Sequence, residues 1–317
     1  MKISAKKITW LETNIRKFGW YIPLSNLFIL YGSKFLPNSI VQRIATRKHQ
    51  KIEDYLVNRL YPTIEVQTKK EFPMVFVEKA PIWYCWLQGE EKLPTIPALC
   101  YDSLKRQANG HPVRFITLEN YKDYVTIPDS IVQLYKEGKI KNAHFADILR
   151  LSLLYNHGGL WADATIFFSN TIPEEIFDLP FYSIKTPEEG FYVSCCRWSG
   201  FFLAGWKNNP LFGAMLEMYD SYLKEDFHFV DYLMMDYFID ILYQKIKPTK
   251  NMIDKVPYNN SSTYALRNLL IKDFNKNIWE SLTKDTHVFK LDWRMYSDND
   301  LSANKNNYFA KLSDSVK

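Results

Sequence analysis

Cysteine is scarce in this sequence. Cys85, Cys100, Cys195 and Cys196 are all it has, with no C-x-x-C spacing and with two of them adjacent. That pattern suits neither a zinc site nor a disulfide framework, and it points to a reducing compartment. Nor does any His, Asn or Asp stand where it would make Cys195 or Cys196 a recognisable nucleophile. Long apolar runs are missing too. The nearest, residues 18–31 (FGWYIPLSNLFILY), is broken by Pro23, Ser25 and Asn26 and falls short of the ~20 residues that a spanning helix requires. The first residues lack a signal-peptide apolar region with a small-residue cleavage site, so a cytoplasmic location is expected. There is no zinc-finger spacing, RNA-binding signature or basic-region heptad, so nucleic acid is not an expected partner. Internal repeats and low-complexity tracts are also absent.

What is present is apolar and aromatic. With 47% hydrophobic residues, 21 Tyr, 21 Phe and 9 Trp, the 317-residue chain can bury one full core and has flat ring faces to spare. Its charge is uneven. Residues 1–60 hold eleven Lys and Arg against three Asp and Glu, a balance of +8 that leaves −3 for the rest of a chain whose net charge is +5. Such a basic end is drawn to anionic surfaces. With Lys17, Lys34, Arg43, Arg47 and Lys48 around it, the 18–31 segment reads either as an element lying in lipid headgroups or as a helical cap on the main domain. The first reading puts the protein peripherally on the inner face of the plasma membrane. Pro62 and Pro73 bracket a polar stretch that reads as a connection, which divides the chain into a helical segment, 1–72, and a main domain, 73–317.

Within the main domain, strands are expected at 82–87, 113–118 and 160–168, and helices at 96–107, 130–137 and 144–157. That alternation predicts an α/β fold with a mixed or parallel sheet flanked by helices. Residues 143–169, AHFADILRLSLLYNHGGLWADATIFFS, are the most informative. Phe145, Ile148, Leu149, Ser152 and Tyr155 recur at helical spacing, and Gly158–Gly159 fits a left-handed helix stop before a strand. Asp147 and Arg150, three apart, share a helix face. Asp163 interrupts an apolar strand, where an unpaired carboxylate is costly to bury. Singly, these are a surface ion pair and a strand cap. Together, Asp and Arg side chains that grip sugar hydroxyls and phosphate, with a carboxylate at a strand's end, suit an enzyme that handles a nucleotide-linked sugar.

The run ADILRLSLLYNHGGLWADAT resembles the signature of glycosyltransferases with a DXD-type motif, a group that includes yeast mannosyltransferases and the glucosylating domains of clostridial toxins. The wider pattern is more similar to the bacterial capsular polysaccharide synthesis protein family, through residues 82–94, 116–140, 144–167, 230–240 and 287–293. The resemblance implies a GT-A fold, Rossmann-like, behind the added N-terminal helical segment. It also implies retaining hexosyl transfer, galactose or glucose, from a UDP-sugar to a lipid-linked saccharide of the undecaprenyl diphosphate type. Asp147, Arg150 and Asp236 would act in catalysis, and Trp83, Gln88, Asp147, Arg150, Asp163 and Lys290 would bind the donor. A divalent metal, Mn or Mg, would be held by Asp163, by Thr165 through water, and by His287.

Thr165 stands where the full motif has its second Asp. This leaves open a metal-independent course, in which Lys290 or Arg294 balances the diphosphate. It also leaves open a non-catalytic sugar-binding or scaffolding role in a capsule assembly complex, and a phosphotransferase stands behind both. Asp231 and Asp236 flank a helix-like stretch, one of them expected to line the acceptor side. The loop with Arg197 and Trp198, followed by Trp206, is expected to wall an acceptor groove or to pack in the core.

Overall fold

The computed structural model describes residues 5–32, 35–67, 73–186 and 191–316. Four successive core residues form β1 (Ile82–Cys85), buried on both faces as a central strand requires. Beside it run β2 (Val113–Ile116) and β3 (Gly159–Ala162), both parallel to it. Beyond β3, β6 (Phe202–Gly205) and β5 (Phe181–Ser183) pair antiparallel, so the mixed five-stranded sheet has the order β2-β1-β3-β6-β5. A second, two-stranded sheet pairs β4 (Ile166–Phe168) with β7 (Val288–Lys290).

Nine helices position these strands: α1 (Ala5–Phe18), α2 (Tyr21–Leu27), α3 (Asn38–Gln67), α4 (Thr95–Gln107), α5 (Asp129–Lys136), α6 (Asn142–His157), α7 (Glu175–Asp178), α8 (Pro210–Glu225) and α9 (Met234–Lys245). Among the described residues α10 (Lys247–Asp254), α11 (Lys276–Thr283), α12 (Asp298–Ser302) and α13 (Tyr308–Val316) follow. This is the expected α/β layout, a mixed sheet flanked by helices behind an added N-terminal helical segment.

That segment shares the core of the main domain. Ile52, Leu56, Leu60 and Ile64 of α3, spaced four apart, are buried with β1, β3, α6, α8 and α9. The stretch from Pro62, expected to be a connection, continues α3 as far as Gln67. Pro62 is exposed, so the hydrogen bond it breaks falls on the solvent side, while Leu60 and Ile64 stay anchored in the core. The expected boundary near 72 lies outside the described residues. A second, smaller core joins α4 to the C-terminal part through Ile96, Leu99, Phe167, Leu266, Phe289 and Tyr308.

The single strand expected at 160–168 is two. Asp163, Ala164 and Thr165 make the corner between β3 and β4, closed by Ile166 N–H donating to Asp163 O at 2.9 Å. The chain thereby leaves the large sheet and enters the small one. At the other end of β3, Gly158 and Gly159 have φ of +70° and +97°. A Cβ on Gly159 would meet Pro81 O at 2.0 Å, so only glycine lets helix α6 turn into a strand against β1.

Candidate active site

β1, β2 and β3 are parallel, so their carboxyl ends share one edge of the sheet. Helix α6 runs back along β3, which brings its first three turns, with Asp147 and Arg150, to that same edge. Asp163 follows the last residue of β3, and Lys290 arrives on β7 opposite Ile166. The four expected residues therefore meet. Arg150 Nη2 donates to Asp163 Oδ1 at 3.1 Å and lies 3.4 Å from Asp147 Oδ1. Lys290 Nζ holds Asp163 Oδ2 at 3.0 Å, and Trp161 Nε1 adds a bond to Oδ1 at 2.9 Å. Burial alone would raise the Asp163 pKa, but Lys290 and Arg150 outweigh it and hold the carboxyl below its ordinary value.

Arg150 is itself buried and serves several elements. Its guanidinium lies over the Trp161 ring, 4.9 Å from the centroid, and Nη1 donates to the Gly200 carbonyl and approaches Met235 Sδ at 3.7 Å. Asp236, in the first turn of α9, joins from the far side: a Cβ on Gly200 would lie 3.6 Å from Arg150 Nη1 and 3.7 Å from Asp236 Oδ1. Asp236 accepts from Trp198 Nε1 at 2.8 Å. Burial, with some help from Asp147 and against that indole bond, pushes its carboxyl up to about 6. Two carboxylates at one edge thus sit on opposite sides of their ordinary value.

The remaining expectations divide. Gln88 stands exposed on the turn after β1, at the same edge. Trp83 does not reach it: its side chain is buried, donates to Gly158 O at 2.9 Å and packs on Tyr124 and His157. Trp83 braces the α6–β3 turn instead. Trp86 lies one residue beyond β1, edge-on to Trp293, and its indole nitrogen is buried without a partner among the described residues. Its position three after Trp83 in IWYCWLQ was the available signal. His287 is off the site. It precedes β7 at the end away from Lys290, its carbonyl accepting from Ser169 N at 3.0 Å and its N–H bound to Asn260 Oδ1 at 2.7 Å. Three residues of extended chain put it ~10 Å along the strand from Lys290.

Asp231 is also not free to line an acceptor groove, because it is buried against Lys48 at 3.3 Å. Trp198 is buried beneath Asp236, and Trp206, half-buried, donates to Phe177 O at 2.9 Å and follows β6 beside the start of β3, the edge away from Asp163. Arg197 is paired with Asp240. Residues with no assigned role at the acceptor side stand there instead, His144 among them, which reads from the sequence as a cap-region residue of the helix. His144 stacks on Phe229 at 3.7 Å, with Nδ1 3.8 Å from Asp147 Oδ2, and Tyr232 is exposed within electrostatic reach of Asp147 and Asp163.

The three side chains expected to hold a metal do not converge, and of them Asp163 is the one at the sheet edge. His287 is elsewhere, Thr165 is buried in the corner, and both Asp163 oxygens are engaged by cations. Among the described residues no three His, Cys, Asp or Glu side chains converge on a point. A Mn or Mg ion held here would draw on Asp163 together with waters and the donor's own phosphates.

The capsular polysaccharide synthesis protein family matches residues 33–312, which spans the sheet, the site and all of α3. The chain belongs to that family. Its match takes in Asp147, Arg150, Asp163, Asp236 and Lys290 alike. No curated protein matches the chain. Among solved structures, it is similar to one titled PaToxG Glycosyltransferase, with 17% identity and a TM-score of 0.39 over 79% of this chain and 99% of that one. That likeness is too distant to argue from.

Proposed function

We propose that this member of the family is a glycosyltransferase that moves a hexose, galactose or glucose, from a UDP-sugar to a lipid-linked saccharide of the undecaprenyl diphosphate type, with retention of configuration. The observation that carries this reading is the ion-pair chain Asp147–Arg150–Asp163–Lys290 at the carboxyl edge of the sheet. Ligands of open α/β sheets bind at that edge. As the sugar leaves, negative charge grows on the diphosphate, and fixed cations are what stabilise it. Lys290 and Arg150 supply them, and Asp163 keeps both cations oriented before the donor arrives. Asp147 and Asp236 accept hydrogen bonds from sugar hydroxyls on either side of Arg150. The acceptor hydroxyl attacks from the face the diphosphate leaves, beside Asp236. No step in this reading passes through the metal.

One observation favours a second reading. Asp163 is fully satisfied by Lys290, Arg150 and Trp161, and residue 165 brings no second carboxylate, as in a sugar-binding subunit without catalysis. Nucleotide release from a panel of UDP- and GDP-sugars, with lipid-linked acceptor and mass analysis of the product, separates the two. Release from one donor, with a product one hexose heavier and lost in Asp163→Ala, supports transfer. Binding without release supports the subunit, and a product that gains phosphate supports a phosphotransferase.

A further inference from the structure

The first three helices present a surface that the catalytic proposal does not use. On α3, Ile40, Arg43, Arg47 and Lys51 are exposed and spaced three or four apart, so they share one face. The opposite face, from Val41 and Ala45 to Ile52 and Leu56, is buried, so the exposed one is held rigidly outward. Next to it, Trp20 (64%) at the start of α2, Phe28 and Tyr31 in the π-helical turn Phe28–Gly32 after it, and Phe35 (87%) are exposed. The two sets adjoin. Arg47 and Lys51 lie over the Tyr21 ring at 5.3 and 5.6 Å, and Tyr21 packs edge-on against Trp20 at 5.8 Å. Asp54, hydrogen-bonded to Gln50, is the acidic group on this side.

Exposed rings flanked by exposed cations are complementary to an anionic bilayer: rings enter the headgroup layer and cations meet phosphate. Insertion rather than spanning is the geometry available, since no described helix is long and apolar enough to cross a membrane. We infer that this face docks the protein on anionic phospholipid.

The same helices are tied to the loop that walls the candidate site. Lys17 bridges to Asp226 at 2.9 Å, Lys48 to Asp231 at 3.3 Å, and His49 to the Tyr237 hydroxyl at 2.6 Å. That loop carries Phe229 and Tyr232 and ends in the helix of Asp236. Docking therefore fixes the acceptor side relative to the lipid surface, which suits an acceptor that is itself lipid-linked. The docking inference does not depend on the transfer reading, because its test needs no substrate.

The test is co-sedimentation of the full chain with vesicles of phosphatidylcholine alone or mixed with phosphatidylglycerol. The wild type should pellet only with the mixed vesicles and be released by added salt, since exposed charges are screened. The triple variant Arg43→Gln/Arg47→Gln/Lys51→Gln should weaken binding roughly tenfold or more. Trp20→Ala/Phe28→Ala/Phe35→Ala should weaken it at all salt concentrations, with melting temperature unchanged in both variants. Wild type remaining in the supernatant, or pelleting equally with both vesicle types, would overturn the inference. So would a dimer that falls apart in the aromatic variant without any vesicle binding, which would assign the face to a second copy.

Discussion

Charge is handled in opposite ways at two places on this molecule. At the sheet edge, Arg150 is buried and Asp163 is three-quarters buried, and each charge has several partners at fixed distances. On the N-terminal helices, Arg43, Arg47 and Lys51 stand in solvent, the latter two over the face of the Tyr21 ring. Desolvating charges is expensive unless they are paired, and exposed ones act at a distance and weaken with salt. The first arrangement is preorganised for a small charged ligand that comes to it. The second suits a surface that the protein itself approaches.

The sharpest way to break this contrast is to remove a charge from the sheet edge. Asp163→Ala leaves Arg150 and Lys290 facing each other, and nucleotide release is expected to fall by ~10²–10³ in steady-state kinetics. A loss under threefold would mean the cluster is structural. Lys48→Met tests the link between the two places. It strands Asp231 as a buried carboxylate without its cation, which should cost ~3–5 kcal/mol in urea denaturation, and Lys48→Met/Asp231→Leu should recover part of it.

A smaller effect is expected from pH. Folding raises the Asp236 carboxyl from 3.8 to about 6, so the folded state holds this proton more tightly than the unfolded chain. The stabilisation that follows is full below the lower value and is lost as pH rises through the upper one. Melting curves of Asp236→Asn should therefore show a flatter decline across that window than wild type. An unchanged slope would place the carboxyl in water. Smallest of all is His287→Ala, which should leave nucleotide release within twofold, because the imidazole lies at the wrong end of β7. A larger loss would return His287 to the site.

Much of this contrast could be read from residue order, and the failures have physical reasons. The helix stop at Gly158–Gly159 announced itself because positive φ next to a close backbone approach leaves little but glycine. Asp147, Arg150 and Asp163 could be grouped because a short helix–turn–strand unit fixes their separation. The corner at 163–165 could not be seen, since LWADATIFF is apolar on either side and a strand that changes sheets keeps its hydrophobic pattern. Its new partner, β7, lies more than a hundred residues later. His287 and Lys290 are near neighbours in sequence, but a strand of three residues separates them to opposite ends. Trp198, from its turn-rich loop, and Trp83, through the resemblance, read as binding faces because residue order does not tell an indole that stacks on a ligand from one that donates its N–H inside the core. Pro62 looked like a break, although a proline on the wet side of a long helix is tolerated when the dry side is well anchored.

The central claim is that cations of the protein, Lys290 foremost, receive the donor's diphosphate at the sheet edge. Calorimetric titration of UDP into wild type and Lys290→Met, each in EDTA, tests it most directly. The account predicts measurable binding by wild type without metal and a loss of roughly tenfold in the variant, about what a charge-assisted contact contributes. Binding that requires Mn or Mg, or that is the same in both proteins, would contradict it.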